Sequence, residues 1–171
     1  MSLFDKLFGK KDKVVPPTPE QSIAGPELRK QALSLSADDL GIKPTSNYPQ
    51  IYATLMDFPV GEHVFSVFAN SAGDVSLYST STFGIIGGGA HENVRNSGLE
   101  WVKFMGESIE SSSQTNDLSY ANTGMIRFYY LTFDGLRMSE TPMVGIEKSD
   151  YLPLFMAGQA VVGQLRLASG G

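Results

Sequence analysis

Met125-Ile-Arg-Phe-Tyr-Tyr-Leu-Thr-Phe133, running into Asp134-Gly135 and Leu136-Arg-Met-Ser-Glu-Thr141, is the stretch that decides the fold class. Its first nine residues are rich in aromatic and β-branched side chains and free of Gly and Pro, which reads as a strand. Asp-Gly between two such runs is the strongest short-range hairpin signal, so Leu136 to Thr141 is the return strand. Side chains alternate across a strand, which puts Phe128 and Tyr130 on one face and Arg127 and Tyr129 on the other. An arginine here makes the second face half polar. It reads either as a partner surface centred on Arg127 and Tyr129 or as an Arg stem lying over a neighbouring Tyr on a solvated sheet face.

Upstream, Ile51-Tyr-Ala-Thr-Leu-Met56 alternates, Pro59 to Gly61 marks a turn, and His63-Val-Phe-Ser-Val-Phe-Ala69 alternates again. Gly73-Asp74 punctuates the pattern and Val75-Ser-Leu-Tyr78 follows, which completes a three-stranded antiparallel meander. Phe83-Gly-Ile-Ile-Gly-Gly-Gly-Ala-His91 then leads into a helix whose Val94, Gly98, Trp101, Val102, Met105 and Ile109 fall on one stripe. Ser111 to Asn122 is polar and Ser-rich, and reads as a loop. Beyond the hairpin, Ser149 or Asp150 caps a last helix with Pro153 in its first turn, and Phe155, Gly158, Val162 and Leu165 form its buried stripe.

The N-terminal quarter differs in composition. Six of the nine prolines precede residue 50, and Pro16, Pro17 and Pro19 make a stiff spacer. Pro26 to Leu40 is a short helix in which Leu28, Ala32 and Leu35 repeat at helical spacing and Pro26 suits the first turn. The division is therefore a basic tip over 1–13, a Pro-rich linker with a short helix over 14–47, and a single domain over 48–168. The domain is α+β: an antiparallel sheet of about five strands with helices packed on it, in the order α-βββ-α-ββ-α.

In topology that order is similar to profilin-like architecture and to roadblock-type domains, a likeness that implies a small binding module that dimerises by sheet edge or helix face. A second resemblance sits on residues. Tyr52-Ala-Thr-Leu-Met-Asp57, Val75-Ser-Leu-Tyr-Ser79, Gly84-Ile-Ile-Gly-Gly-Gly-Ala-His91 and Ile126-Arg-Phe-Tyr-Tyr-Leu-Thr132 resemble a group of uncharacterised bacterial proteins. That resemblance covers about half the chain, implies a bacterial cytoplasmic origin, and brings no known activity.

Composition excludes whole classes of chemistry. With no Cys among 171 residues there is no thiol nucleophile, disulfide framework, iron–sulfur cluster or Cys-based zinc site. A net charge of -5 argues against a nucleic-acid partner, since neutralising phosphates takes a surplus of Lys and Arg. No run of 18 apolar residues exists and the start lacks the apolar core of a secretory signal, so the cytoplasm is the expected location. Charge is uneven along the chain: residues 1–13 hold four Lys and two Asp, the remaining 158 hold nine basic and sixteen acidic residues. In a helix, Leu3, Phe4, Leu7 and Phe8 share one face of that basic tip, a pattern suited to an anionic bilayer or a partner's groove.

One feature has the look of a ligand site. Gly87, Gly88 and Gly89 end a strand and open a helix, an arrangement that aims unpaired N–H groups and the positive end of the helix dipole at one spot. His91 follows in the first turn, and Arg95 one turn on would add a permanent charge for a phosphate or carboxylate. The loop matches neither the P-loop nor the dinucleotide fingerprint, and positive φ or close packing explains the same glycines. His63 and His91 with Asp57 or Glu62 lack metal-ligand spacing, so no metal or cofactor is expected. Three readings follow: a non-enzymatic interaction module that binds another protein or itself, a small-ligand sensor built on the glycine loop, and an enzyme using His91 as acid or base.

Overall fold

A computed structural model describes residues 13–14, 21–81 and 83–170. The strands are β1 (Lys13–Val14), β2 (Ile51–Val60), β3 (His63–Asn70), β4 (Val75–Ser79), β5 (Ile85–Ile86), β6 (Ser113–Gln114), β7 (Met125–Thr132) and β8 (Gly135–Pro142). The helices are α1 (Gln21–Ser34), α2 (Ala37–Leu40), α3 (Glu92–Glu107) and α4 (Leu152–Ala168). All the strands join one antiparallel sheet in the order β1-β5-β4-β3-β2-β7-β8-β6. The α+β class is as expected, but the sheet is wider than about five strands. Its five long strands are the expected ones; β1, β5 and β6 have two residues each, too few to show any periodicity in a sequence.

Three local differences have physical causes. The meander turn falls at Gly61–Glu62 and not at Pro59–Gly61, because Val60 pairs with His63 and Gly61 takes φ +60. Pro59 is tolerated inside β2 because the ladder to β7 stops at Asp57, leaving a partner on one side only. The β7–β8 loop is Phe133–Asp134, one residue earlier than the Asp-Gly reading: Thr132 pairs with Gly135, which supplies φ +124. The Thr132 hydroxyl donates to the Gly135 carbonyl (2.6 Å) and accepts the Asp134 N–H (3.2 Å), closing the turn.

Both faces of the sheet are covered. On the first, α3 and α4 bury Trp101, Val102, Met105, Phe155 and Leu165 against Met56, Val67, Ile126, Phe128 and Tyr130. On the second, Ala53, Leu55, Phe68, Tyr78, Tyr129 and Leu131 pack against Ala32 and Leu33 of α1 and Leu40 of α2. Within 14–47, read from the sequence as a Pro-rich linker with a short helix, α1 and α2 thus pack on the sheet through Ala32, Leu33 and Leu40. The single helix expected over Pro26–Leu40 is broken at Leu35–Ser36, where Ser36 and Asp39 form a capping box that starts α2. Pro26 lies inside α1 and not at its start. At α4 the N-cap is Tyr151, with neither Ser149 nor Asp150 in that role.

Burial pushes the phenols of Tyr52 and Tyr130 up to about 12. An unfolded tyrosine ionises near pH 10, so in the window from about 10 to 12 the folded chain holds protons that the unfolded chain has lost. This contribution to stability is complete below pH 10 and is lost as pH rises toward 12. Urea midpoints measured from pH 9 to 11.5 are expected to fall only above pH 10, together with late tyrosinate absorbance. A flat midpoint through pH 11.5 would contradict the burial of these phenols.

Candidate functional site

The glycine loop is built by close packing. Gly87 turns the chain out of β5 with φ +77, Gly88–Ala90 form a short 3-10 turn, and His91 is the N-cap of α3 without a side-chain cap bond. Two of the amides an anion would need are already used. The Ala90 N–H points to the Gly87 carbonyl (3.4 Å) and the His91 N–H donates to the Gly88 carbonyl (3.1 Å). A Cβ on Gly88 would run into the Leu165 side chain, and one on Gly89 would overlap the Gly73 carbonyl oxygen. His91 and Gly88 border a crevice of about 10 Å³ with Ile85, Leu165, Ala168 and Ser169, room for about one water. The Arg95 side chain lies over Gly73 in the β3–β4 turn, where its Nε would be 2.9 Å from a Cβ. The structure therefore uses Gly87 for the turn out of β5, packs Gly88 and Gly89 against Leu165 and the β3–β4 turn, sets His91 at the crevice and lays Arg95 over Gly73. Leu3, Phe4, Leu7 and Phe8 of the tip lie outside the described residues.

The second sheet face carries charge where the sequence offered a partner surface. Arg127 and Tyr129 are 6% and 0% exposed, because α1 and the segment 115–122 lie over them. The register lines up one polar row across five strands: Tyr78 beside Ser66, Ser66 beside Asp57, Asp57 beside Arg127, and Arg127 beside Glu140. Arg29 of α1 comes down on this row and grips Asp57 with two parallel bonds, Nε to Oδ1 (3.0 Å) and Nη2 to Oδ2 (2.6 Å). Ser66 Oγ donates a third bond to Asp57 (2.5 Å).

The same arginine holds the covering loop. Arg29 Nη1 donates to the Leu118 carbonyl (2.6 Å) and Nη2 to the Ser119 carbonyl (3.1 Å), while the Tyr120 ring stacks 4.0 Å from the guanidinium carbon. Arg127 bonds Glu140 and the Ser119 carbonyl, and the Tyr129 hydroxyl reaches the carbonyls of Asp117 and Ser119 at 2.8 and 2.9 Å. Ser119 is the focus, its carbonyl shared by two arginines and a tyrosine. Burial alone would weaken the Arg29 charge, but the bond and charge of Asp57 outweigh it and hold its pKa above the ordinary value. Bonds from the Ser119 hydroxyl and amide, with the Arg127 charge, keep the Asp117 carboxyl below the usual range.

Chemically this is a latch. Each guanidinium has its donors engaged and Asp57 accepts three bonds, so the row fastens α1 and the segment 115–122 to the sheet. Reading the sequence missed Arg29, Ser66 and Tyr120, and took Asp57 only as a prospective metal ligand. The available signal was one polar residue at an inward position on each of several neighbouring strands, and it becomes visible only once register is known.

The outer face of α4 is of another kind. Its 17 residues include a single charge, Arg166. Leu154, Phe155, Val161, Val162 and Leu165 point inward, yet the outward positions Met156, Ala160, Gly163 and Leu167 are also uncharged, with Met156 58% and Leu167 74% exposed. On the opposite sheet face, a groove of about 370 Å³ between the end of α1 and the β7–β8 hairpin is lined by Tyr52, Phe133 and Leu136 among others. Its Tyr52 and Thr132 hydroxyls are already bonded to the carbonyls of Leu35 and Gly135.

No known protein family, curated protein or solved structure matches this chain. Among the described residues no helix is long and apolar enough to cross a membrane.

Proposed function

We propose that this chain is a non-enzymatic interaction module that docks an apolar helical segment on the outer face of α4. The observation that carries this reading is the sidedness of α4. A helix at the surface of a globular protein ordinarily turns a charged face outward, and α4 turns outward a single charge, Arg166, beside four exposed uncharged positions. Met156, Ala160, Gly163 and Leu167 recur at i, i+4, i+7 and i+11, the spacing by which one helix presents a seam to another. Ala160 and Gly163 leave room in that seam for large side chains. The reading agrees with the binding-module use implied by the likeness of element order to profilin-like and roadblock-type domains.

Methionine oxidation by dilute peroxide in the full chain, followed by peptide mass spectrometry over a concentration series, is the test. Met156 is expected to oxidise roughly tenfold more slowly in the native protein than in the guanidinium-unfolded chain, because a docked segment shields its sulfur. Oxidation within about twofold of the unfolded rate at every concentration would show the face to be bare and would sink the reading.

A further inference from the structure

We propose that this chain forms a two-fold homodimer in which the α3–α4 layer of one copy packs antiparallel on the same layer of a second, with the outer seam of α4 at the centre. The inference rests on the reading of α4 as a docking face and names its occupant, the α4 of another copy.

The seam is self-complementary. A two-fold axis across two antiparallel copies of a helix matches each residue with the one equally far on the other side of the axis. Met156, Ala160, Gly163 and Leu167 are spaced four, three and four apart, so the stripe reads the same in both directions. With the axis between Val161 and Val162, Met156 meets Leu167 of the second copy and Ala160 meets its Gly163. The two large exposed side chains then fill the ends of the seam, and the small residues let the backbones approach at its middle. Arg166 falls on the same flank as Gln159 of the second copy, whose amide oxygen can accept a bond from it. The two Arg166 residues stand about 14 Å apart along the helices, beyond the roughly 8 Å reach of a surface charge at physiological salt.

The neighbouring helix fits the same axis. α3 and α4 lie side by side on one sheet face and run in opposite directions: His91 shares a crevice with Ala168, and a Cβ on Gly158 would lie 3.2 Å from the Trp101 ring. The level of Val161 and Val162 on α4 is therefore the level of Ser97 and Gly98 on α3. Glu92 and Lys103, both exposed, are equally far from that level. The axis thus sets Lys103 opposite Glu92 of the second copy, and Glu92 opposite its Lys103, an arrangement of complementary charge. Neither side chain has an ion-pair partner among the described residues. A parallel pair about an axis along α4 would throw the two α3 helices to opposite sides and leave these charges unmatched.

Two helices about 24 Å long and about 10 Å across present a footprint of roughly 500 Å² per copy, about 1,000 Å² for the pair. That is the lower bound for a specific interface, so the dimer is weak and its population follows protein concentration.

Sedimentation of the full chain from about 1 to 300 µM is the first measurement, and a reversible monomer–dimer equilibrium is expected. Gly163→Glu is expected to weaken that equilibrium at least tenfold, because it brings two carboxylates together beside the axis. Gly163 has open space for a side chain, and an unchanged thermal midpoint checks that the variant folds. Orientation is read by disulfides, without background because the chain has no Cys. Chains carrying Met156→Cys are mixed with chains carrying Leu167→Cys and mildly oxidised at a concentration where the mixture is dimeric. The mixed bridge is expected to form at least tenfold faster than either variant bridges to itself, since identical positions lie about 16 Å apart in the antiparallel pair. A monomer at every concentration, a dimer that Gly163→Glu leaves intact, absence of the mixed bridge, or self-bridging as fast as the mixed bridge would overturn the proposal. Met156 oxidation separates this inference from the reading beneath it. Protection that rises with the dimer population supports both. Slow oxidation in a chain that stays monomeric would leave α4 a docking face with another occupant, and fast oxidation at every concentration would remove both.

Discussion

Asp57→Ala is expected to destabilise the protein by about 3–5 kcal/mol, the usual cost of breaking a buried ion pair by removing one partner. Asp57 is fully buried, and its partner Arg29 is 3% exposed. Removing the carboxylate leaves a guanidinium inside the protein with two of its bonds gone, and deprives Ser66 Oγ of its acceptor. The damage spreads because Arg29 also carries the Leu118 and Ser119 carbonyls. Against a typical total of about 5–15 kcal/mol, the loss is a fifth or more of the stability. The double variant Arg29→Met with Asp57→Leu is expected to regain part of it, since it removes the unpaired buried charge but still leaves the Leu118 and Ser119 carbonyls and the Ser66 hydroxyl without these partners. Urea unfolding of the three proteins measures both effects. A loss below about 1 kcal/mol in Asp57→Ala would mean that water reaches Arg29 and that the pair behaves as a surface salt bridge.

The long elements were legible in the sequence because each repeats a period several times over. Met125 to Thr132 and the stripe of Val94, Gly98, Trp101, Val102 and Met105 needed no knowledge of the rest of the fold. The two-residue strands were not legible, since two residues carry no period, and Lys13–Val14 enters the sheet by pairing with β5. The role of α1 was hidden for a different reason. Its apolar repeat is modest, and beside the packing of Ala32 and Leu33 it is fixed to the sheet by one charged residue, Arg29, which reads locally as a solvated helix position. Pairing that residue with Asp57, 28 residues away, requires the register of four strands and the location of a helix above them. The same holds for Arg127. Its strand partner Glu140 and the covering Ser119 turn an apparently open polar face into a closed one. The outer stripe of α4 went unread: the expected buried stripe was right, and Met156, Ala160, Gly163 and Leu167 were passed over, four uncharged positions beside Gln159, Gln164 and Arg166.

Gly89→Ala is expected to cost at least the 1–3 kcal/mol typical of overpacking, because of where the added carbon must go. Gly89 does not need a left-handed backbone, so an alanine there suffers no conformational strain. The difficulty is space. Its Cβ would overlap the carbonyl oxygen of Gly73 and approach the Cα of Asp74 at 3.2 Å, and both are main-chain atoms of the β3–β4 turn. That turn is fixed from within: Asn70 Oδ1 accepts the amides of Ala72 and Asp74, and Asn70 Nδ2 donates to the Asp74 carboxylate. It cannot yield as a side chain would. At Gly88 the first obstacle is the Leu165 Cδ2 methyl, the end of a flexible chain, so Gly88→Ala is expected to cost less than Gly89→Ala. Thermal unfolding separates the two, at roughly 2–4 °C per kcal/mol for a chain of this size. The ordering also decides what the glycines are for. A loop kept bare to cradle an anion would lose binding and keep its melting temperature when either glycine is replaced. A loop kept bare so that α3 can start against the β3–β4 turn would lose melting temperature first, and most at Gly89.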